Sequence, residues 1–190
     1  MTRTEETITT IEIKKYIAEY RNVEYFLGFC HQCKGFGKTW ACPPFEQQID
    51  LDSYNFAHII GTKIIIDPKR CEEEISGDEL TKAIEEILLP VRLQIDLRLL
   101  ELEKLNSGSR AFFAGSCRRC AKGECTRPKA EPCIKPNEMR PSLEAVGFDV
   151  SKSASQLLGI DLLWCDKHLP QYFTLVYALF SQKRELIEQI

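Results

Sequence analysis

The chain has 190 residues, 44% of them apolar and 28% charged, which is the composition of a globular protein with a sizeable core. Its net charge of -3, from 25 basic and 28 acidic residues, gives no global signal for nucleic acid or a membrane surface. No run of about 18 apolar residues appears, so no transmembrane helix is expected.

The first residues, MTRTEETITT, lack the apolar core of a secretory leader, and the expected location is a reducing cytoplasm. Residues 8–20 place Ile13, Tyr16, Ile17 and Tyr20 at helical spacing and predict a first helix. Val23 to Cys30 is apolar and aromatic and reads as a strand. Gly35, Gly37, Pro43 and Pro44 then forbid a long regular element over 30–46.

Ala57 to Ile66 is a near-continuous apolar run, the pattern of a strand buried on both faces, and it stops at Asp67-Pro68. Residues 78–105 predict a long helix whose main stripe runs from Leu80 to Leu102. Leu89, Leu93, Leu97 and Leu100 widen that stripe, which suggests a central or covered helix, and Pro90 is expected to kink or divide it. Asn106 to Gly108 supplies a stop.

Arg110 to Ala114 reads as a short strand, and 117–141, with four prolines, as irregular. Ser142 is placed to cap a short helix, and Asp149 or Ser151 another over 154–158. Tyr172 to Phe180 is a buried strand, and SQKRELIEQI a terminal helix. The order of elements predicts an α/β (α+β) fold in one domain over 1–190, a small mixed sheet packed by helices, with cysteine-rich metal-binding loops at 30–46 and 115–141.

Seven of the nine cysteines fall in two groups. Cys117-x2-Cys120-x4-Cys125-x7-Cys133 sets four thiols in a segment with too little apolar content to order itself by burial. In a reducing compartment such thiols are metal ligands before they are disulfides. Four thiolates suffice for a [4Fe-4S] cubane, one per iron. Seven basic and three acidic residues between 117 and 140 leave the segment at +4, a field that favours an anionic cluster. An all-cysteine zinc site is the alternative, although two well-separated Cys-x2-Cys pairs are its commoner pattern.

Cys30-x2-Cys33-x8-Cys42 offers three thiols. The missing fourth leaves several readings open. His31, His58, His168, Cys71 or Cys165 completes the shell; the group shares a larger cluster with the second; one position stays open to an exogenous ligand; or the site is zinc or purely structural. Trp40 is placed to shield a centre from water. Cys71 reads as a surface or packing residue and Cys165 as a small core residue.

Together, Cys30-x2-Cys33-x3-Gly37-x2-Trp40-x-Cys42-Pro43-Pro44 and the later block resemble the signature of a bacterial and archaeal family of predicted metal-binding proteins, domain of unknown function 2284. The later block runs Ala114-Gly115-x-Cys117-x2-Cys120, then Cys125 and Cys133, then Arg140-Pro-Ser142-x-Glu144-Ala-x-Gly147-x-Asp149-Val150. Gly35-Phe36-Gly37 departs from the family's aromatic-before-glycine pattern, with Phe36 in the aromatic role. The resemblance spans nearly the whole chain. It implies metal or iron–sulfur binding in anaerobic metabolism, and a bracing role for the block at Arg140, which pairs with the cofactor, pairs with Glu144, or simply belongs to a helix cap.

Three functions follow as expectations. One is iron–sulfur redox or open-site chemistry of oxidoreductase or lyase type, with an electron donor or partner protein and a small-molecule ligand. The second is a zinc- or cluster-stabilised binding module. The third is a metal-delivery accessory protein. Nucleic acid is disfavoured because the +4 segment lacks interleaved aromatics. No phosphate-binding glycine loop, dinucleotide fingerprint or Ser-His-Asp arrangement appears.

Overall fold

A computed structural model describes residues 3–47, 49–121 and 124–186. Its centre is a four-stranded sheet in the order β1-β2-β4-β3, made of β1 (Arg3–Glu12), β2 (Phe56–Ile65), β3 (Arg110–Phe112) and β4 (Tyr172–Ser181). The α/β class is as expected. The sheet itself is antiparallel at every pairing rather than mixed.

The two faces of the sheet bury different helices. Ile60 and Ile64 of β2 and Phe173, Leu175, Tyr177 and Leu179 of β4 meet α4 (Gly77–Leu105) through Ile87, Ile95, Leu99 and Leu100. The alternate residues Ala57, Ile59, Val176, Ala178 and Phe180 meet α1 (Ile13–Tyr20) and α5 (Val150–Leu158) on the opposite side. Both faces of β2 are thus covered, as its unbroken apolar run requires. Gly61 lets α5 approach: a Cβ there would lie 2.7 Å from Leu158 and 2.8 Å from Ile160.

Four sequence-based expectations need correction. The helix expected from residue 8 begins at Ile13, because Ile8, Thr9, Thr10 and Ile11 are β-branched and pair with β2, Thr10 opposite His58. The strand expected at 23–30 is a helix, α2 (Val23–Gln32). Asn22 caps it, Oδ1 accepting from the Tyr25 N–H at 3.1 Å, and an apolar run this short does not by itself distinguish helix from strand. Helix α4 is not divided at Pro90, one of the two outcomes expected there, and runs through it as one element. The lost hydrogen bond and ring clash cost about 3 kcal/mol, less than the combined burial of its four core residues at about 1.5–3 kcal/mol each. Finally, Ser181 closes β4 and no helix follows over 182–186; the end of the expected terminal helix, 187–190, lies outside the described residues.

Other boundaries fall close to expectation. Asn106 ends α4, its N–H reaching the Leu102 carbonyl at 2.9 Å. Ser142 Oγ accepts from the Ala145 N–H at 3.3 Å at the start of a 3-10 turn, Glu144–Val146. Asp149, not Ser151, caps α5, accepting from the Lys152 N–H at 2.8 Å. Leu97, in the widened stripe of α4, is 51% exposed, so that side of the helix is uncovered here. Among the described residues, no helix is long and apolar enough to cross a membrane.

Candidate metal centre

Helix α2 delivers Cys30 in its last turn and ends at Cys33, whose N–H bonds the Cys30 carbonyl at 3.0 Å. A run of tight turns follows: Phe36 N–H to Cys33 O, Lys38 N–H to Gly35 O, and Cys42 N–H to Thr39 O. Gly37 N–H to Pro43 O at 2.9 Å closes the segment on itself. Gly35 is its pivot. Its N–H points at Cys33 Sγ, 3.4 Å away, and a Cβ at Gly35 would lie 3.5 Å from Cys42 Sγ and 3.7 Å from Cys33 Sγ. Two sulfurs therefore flank one α-carbon.

The second segment follows β3. Gly115 adopts a positive φ of 65° with the Arg92 guanidinium packed against it, and Arg92 donates to the Ser116 carbonyl just before Cys117. From there to Pro141 the only regular piece among the described residues is the 3-10 turn Arg127–Lys129. Two ion pairs at 2.9 Å or less hold the segment. Arg119 grips Glu138 through two nitrogens at 2.7 and 2.9 Å, and Arg140 grips Glu103 of α4 at 2.5 and 2.8 Å. Arg140 thus braces the segment from α4, and Glu103, not Glu144, is its partner.

The two segments meet. Trp40 Nε1 donates to Thr126 Oγ1 at 3.2 Å, and the Arg127 guanidinium lies over the Trp40 ring, 5.4 Å from its centroid. Arg127 also donates to the carbonyls of Thr39, Cys42 and Pro44. Trp40 is a structural strut between the segments.

The thiols feel one another. Burial, then the neighbouring Cys33 and Cys42 and the Glu144 charge, push the Cys30 thiol up. Burial pushes up Cys42, which also senses Cys125 of the second segment. Cys117 is raised by burial and by Cys120, Cys133 and Cys125, against a stabilising N–H from Arg119. Burial and then Cys133 and Cys125 raise Cys120. Thiols that are desolvated and mutually repulsive as thiolates are the groups a soft cation relieves. The donor chemistry therefore fits a thiophilic metal, and all nine cysteines are free. Among the described residues, no three His, Cys, Asp or Glu side chains converge as a group that could hold an ion.

The cationic field read from the sequence is largely engaged elsewhere. Arg119, Arg127 and Arg140 have the partners just described, and Arg118 lies 3.6 Å from Glu85. Four of the five residues weighed as a fourth ligand have other contacts, while the Nδ1 of the fifth, His168, is buried with no hydrogen-bond partner among the described residues. The His31 ring lies against Phe36, centroids 4.3 Å apart and planes tilted by 43°, and His58 is buried between Thr10 and Ser181, each 2.9 Å from a ring nitrogen. Cys71 and Cys165 pack against the core on the α4 side, and Cys71 Sγ points to the Pro170 carbonyl at 3.4 Å.

A cavity of about 640 Å³ lies beside the first segment, and Cys30, Cys33 and Cys42 all line it. Its other walls are mostly carbon, including Phe26, Phe29, Phe36 and Trp164, with Ser142 and Glu144 among the few polar groups. Glu144 is held away from bulk water, which pushes its carboxyl up; a hydrogen bond from Ser142 and the Arg92 charge oppose the shift.

A family model described as "Predicted metal-binding protein (DUF2284)" matches residues 10–178. The chain belongs to this family. No curated protein and no solved structure matches it. The match covers both cysteine segments, α1, α2, β2, β3, α4 and α5 and most of β4, and leaves most of β1 outside it.

Several residues of the site were not legible in the sequence. Arg92, Glu103 and Arg127 carry no motif, and their roles come from long-range partners. Phe26 and Phe29 were assigned to a strand, and only as helix neighbours do they face the cavity together with Cys30.

Proposed function

We propose that the chain is an iron–sulfur protein of the cytoplasm. In this reading Cys117, Cys120, Cys125 and Cys133 hold a [4Fe-4S] cluster, braced by Arg140, and Cys30, Cys33 and Cys42 hold a second centre with one open position. The observation that carries it is the placement of all three thiols of the first segment on the wall of one cavity. A three-thiol centre facing a cavity open to solvent on one side is suited to binding a small molecule, and the seam through Trp40 and Arg127 keeps it beside the electron-storing group.

When bound, such centres supply single electrons and a Lewis-acidic iron. This chain's own residues bind and orient. The aromatic wall gives the cavity a largely apolar lining, and Glu144 and Ser142 place a hydrogen-bonding pair within it. A partner protein or other electron donor and a small-molecule ligand belong to the same reading. One observation favours metal delivery as the second reading: Cys33 is exposed, within reach of a recipient's thiols.

Iron and acid-labile sulfide, with EPR, on protein purified without oxygen test the proposal. About eight of each, with a signal altered by small ligands, is the expected result; about four places a cluster in one segment only. Zinc without sulfide overturns it. Metal that passes rapidly to an apo-acceptor favours delivery.

A further inference from the structure

The cavity beside Cys30 has a composition that selects among ligands. Four aromatic side chains, Phe26, Phe29, Phe36 and Trp164, line it. Two carboxylates, Glu144 and Asp149, line it too, and no lysine, arginine or histidine does. An anionic ligand would meet carboxylates and thiols without a cationic partner. The N-terminus of α5, which reaches the rim at Val150 and Ser151, would ordinarily attract an anion. Asp149 already fills that place, its Oδ1 accepting from the Lys152 N–H. Arg92 senses Glu144, but it lies behind Gly115, donates to the Ser116 carbonyl and is not part of the lining.

Aromatic faces attract cations, most strongly where water is excluded. A methylated ammonium group offers positive charge with a carbon surface, so it lies against Phe and Trp at a lower desolvation cost than a primary ammonium. A volume of about 640 Å³ falls within the range of small-molecule sites. Trp164 borders the cavity and is 82% exposed, which sets its ring at the mouth.

We infer that this cavity binds a small methylated amine or quaternary ammonium compound, its cationic head between the aromatic wall and Glu144. The inference deepens the proposed function by naming the substrate class, and it rests on that reading only for the role of the iron.

The test is calorimetric titration of tetramethylammonium chloride into the full chain, purified anaerobically, with tert-butanol as the neutral isostere and acetate as the anion control. Iron and sulfide are measured on the same sample. Tetramethylammonium should bind at least tenfold tighter than tert-butanol, with acetate not binding. Trp164→Ala, which removes an exposed side chain, should weaken binding about threefold, the scale of one exposed cation–π contact, and Glu144→Gln, which keeps shape and removes charge, about tenfold. Circular dichroism establishes that each variant is folded. Equal binding of the cation and its isostere, or unchanged binding in Trp164→Ala, overturns the inference. Discrimination in protein without iron sinks the cluster reading alone; iron without discrimination sinks this inference alone; neither sinks both.

Discussion

Glu103 and Arg140 face one another as a two-point ion pair, 2.5 and 2.8 Å, and the same Glu103 carboxylate accepts the Ala111 N–H at 2.7 Å. One side chain near the end of α4 thus joins the start of β3 to the end of the second cysteine segment. Both partners are largely shielded, with side chains 11% and 17% exposed. Removing one would leave the other charge buried and unpaired.

Glu103→Ala should therefore cost about 3 kcal/mol, toward the lower end for breaking a buried pair. Urea unfolding of the wild type and variant gives the number. A loss below about 1 kcal/mol would place the pair among solvated surface contacts instead.

Gly147 has a φ of +93°, and a Cβ there would lie 2.8 Å from Val23 Cα, which is backbone that cannot swing aside. Gly108 has a φ of +79°, but its would-be neighbour is the flexible Gln182 side chain at 3.6 Å. Gly147→Ala should destabilise by about 2–4 kcal/mol and Gly108→Ala by about 1 kcal/mol. Thermal unfolding separates the two. Because Val23 opens α2, the Gly147 variant should also displace Cys30, seen as a faster reaction of the first-segment thiols with a thiol reagent.

Arg127→Ala leaves every thiol in place and removes the donor to the Thr39, Cys42 and Pro44 carbonyls. The expected cost is about 2 kcal/mol from the lost charge-assisted bonds. Its signature is local: hydrogen exchange should accelerate over 39–44 and around Thr126 while β2 and β4 stay protected. Uniform acceleration across the sheet would argue against a strut confined to the seam.

Asp96 is wholly buried on α4, and neither carboxylate oxygen has a hydrogen-bond partner among the described residues. Burial, opposed by the charges of Arg92 and Arg119, pushes its carboxyl from 3.8 up to about 6. The native state therefore holds this proton more tightly than the unfolded chain. The stability Asp96 contributes is fully present below pH 3.8 and is lost as pH rises through about 6. Asp96→Asn should gain on the wild type by roughly 2–3 kcal/mol between pH 3.5 and pH 7.5, read from denaturant unfolding across that range. A constant difference would mean that Asp96 titrates normally.

The core was legible where one physical signal dominated. The unbroken apolar runs of β2 and β4 and the long stripe of α4 each identified their element, because burial on a fixed period leaves few alternatives. The errors fall where two signals compete. Ile13, Tyr16 and Tyr20 are helical as expected, but their spacing was extended backward over residues whose partners lie in β2. Residues 23–30 are apolar without being buried, so hydropathy pointed to a strand while the Asn22 cap made a helix. The cysteine spacings marked the segments that carry the thiols. They said nothing of the Trp40–Thr126 contact, because the relative position of two irregular segments is fixed by single hydrogen bonds that leave no periodic trace.

The sheet contains no hairpin. Arg3 pairs with Ile65 and Phe56 with Ser181, while β3 waits for the same β4. During synthesis, the strand that joins β2 to β3 is the last to emerge. Both cysteine segments, 30–42 and 117–133, leave the ribosome before the sheet that supports them can close. For that interval seven thiols are carried without the sheet that positions them.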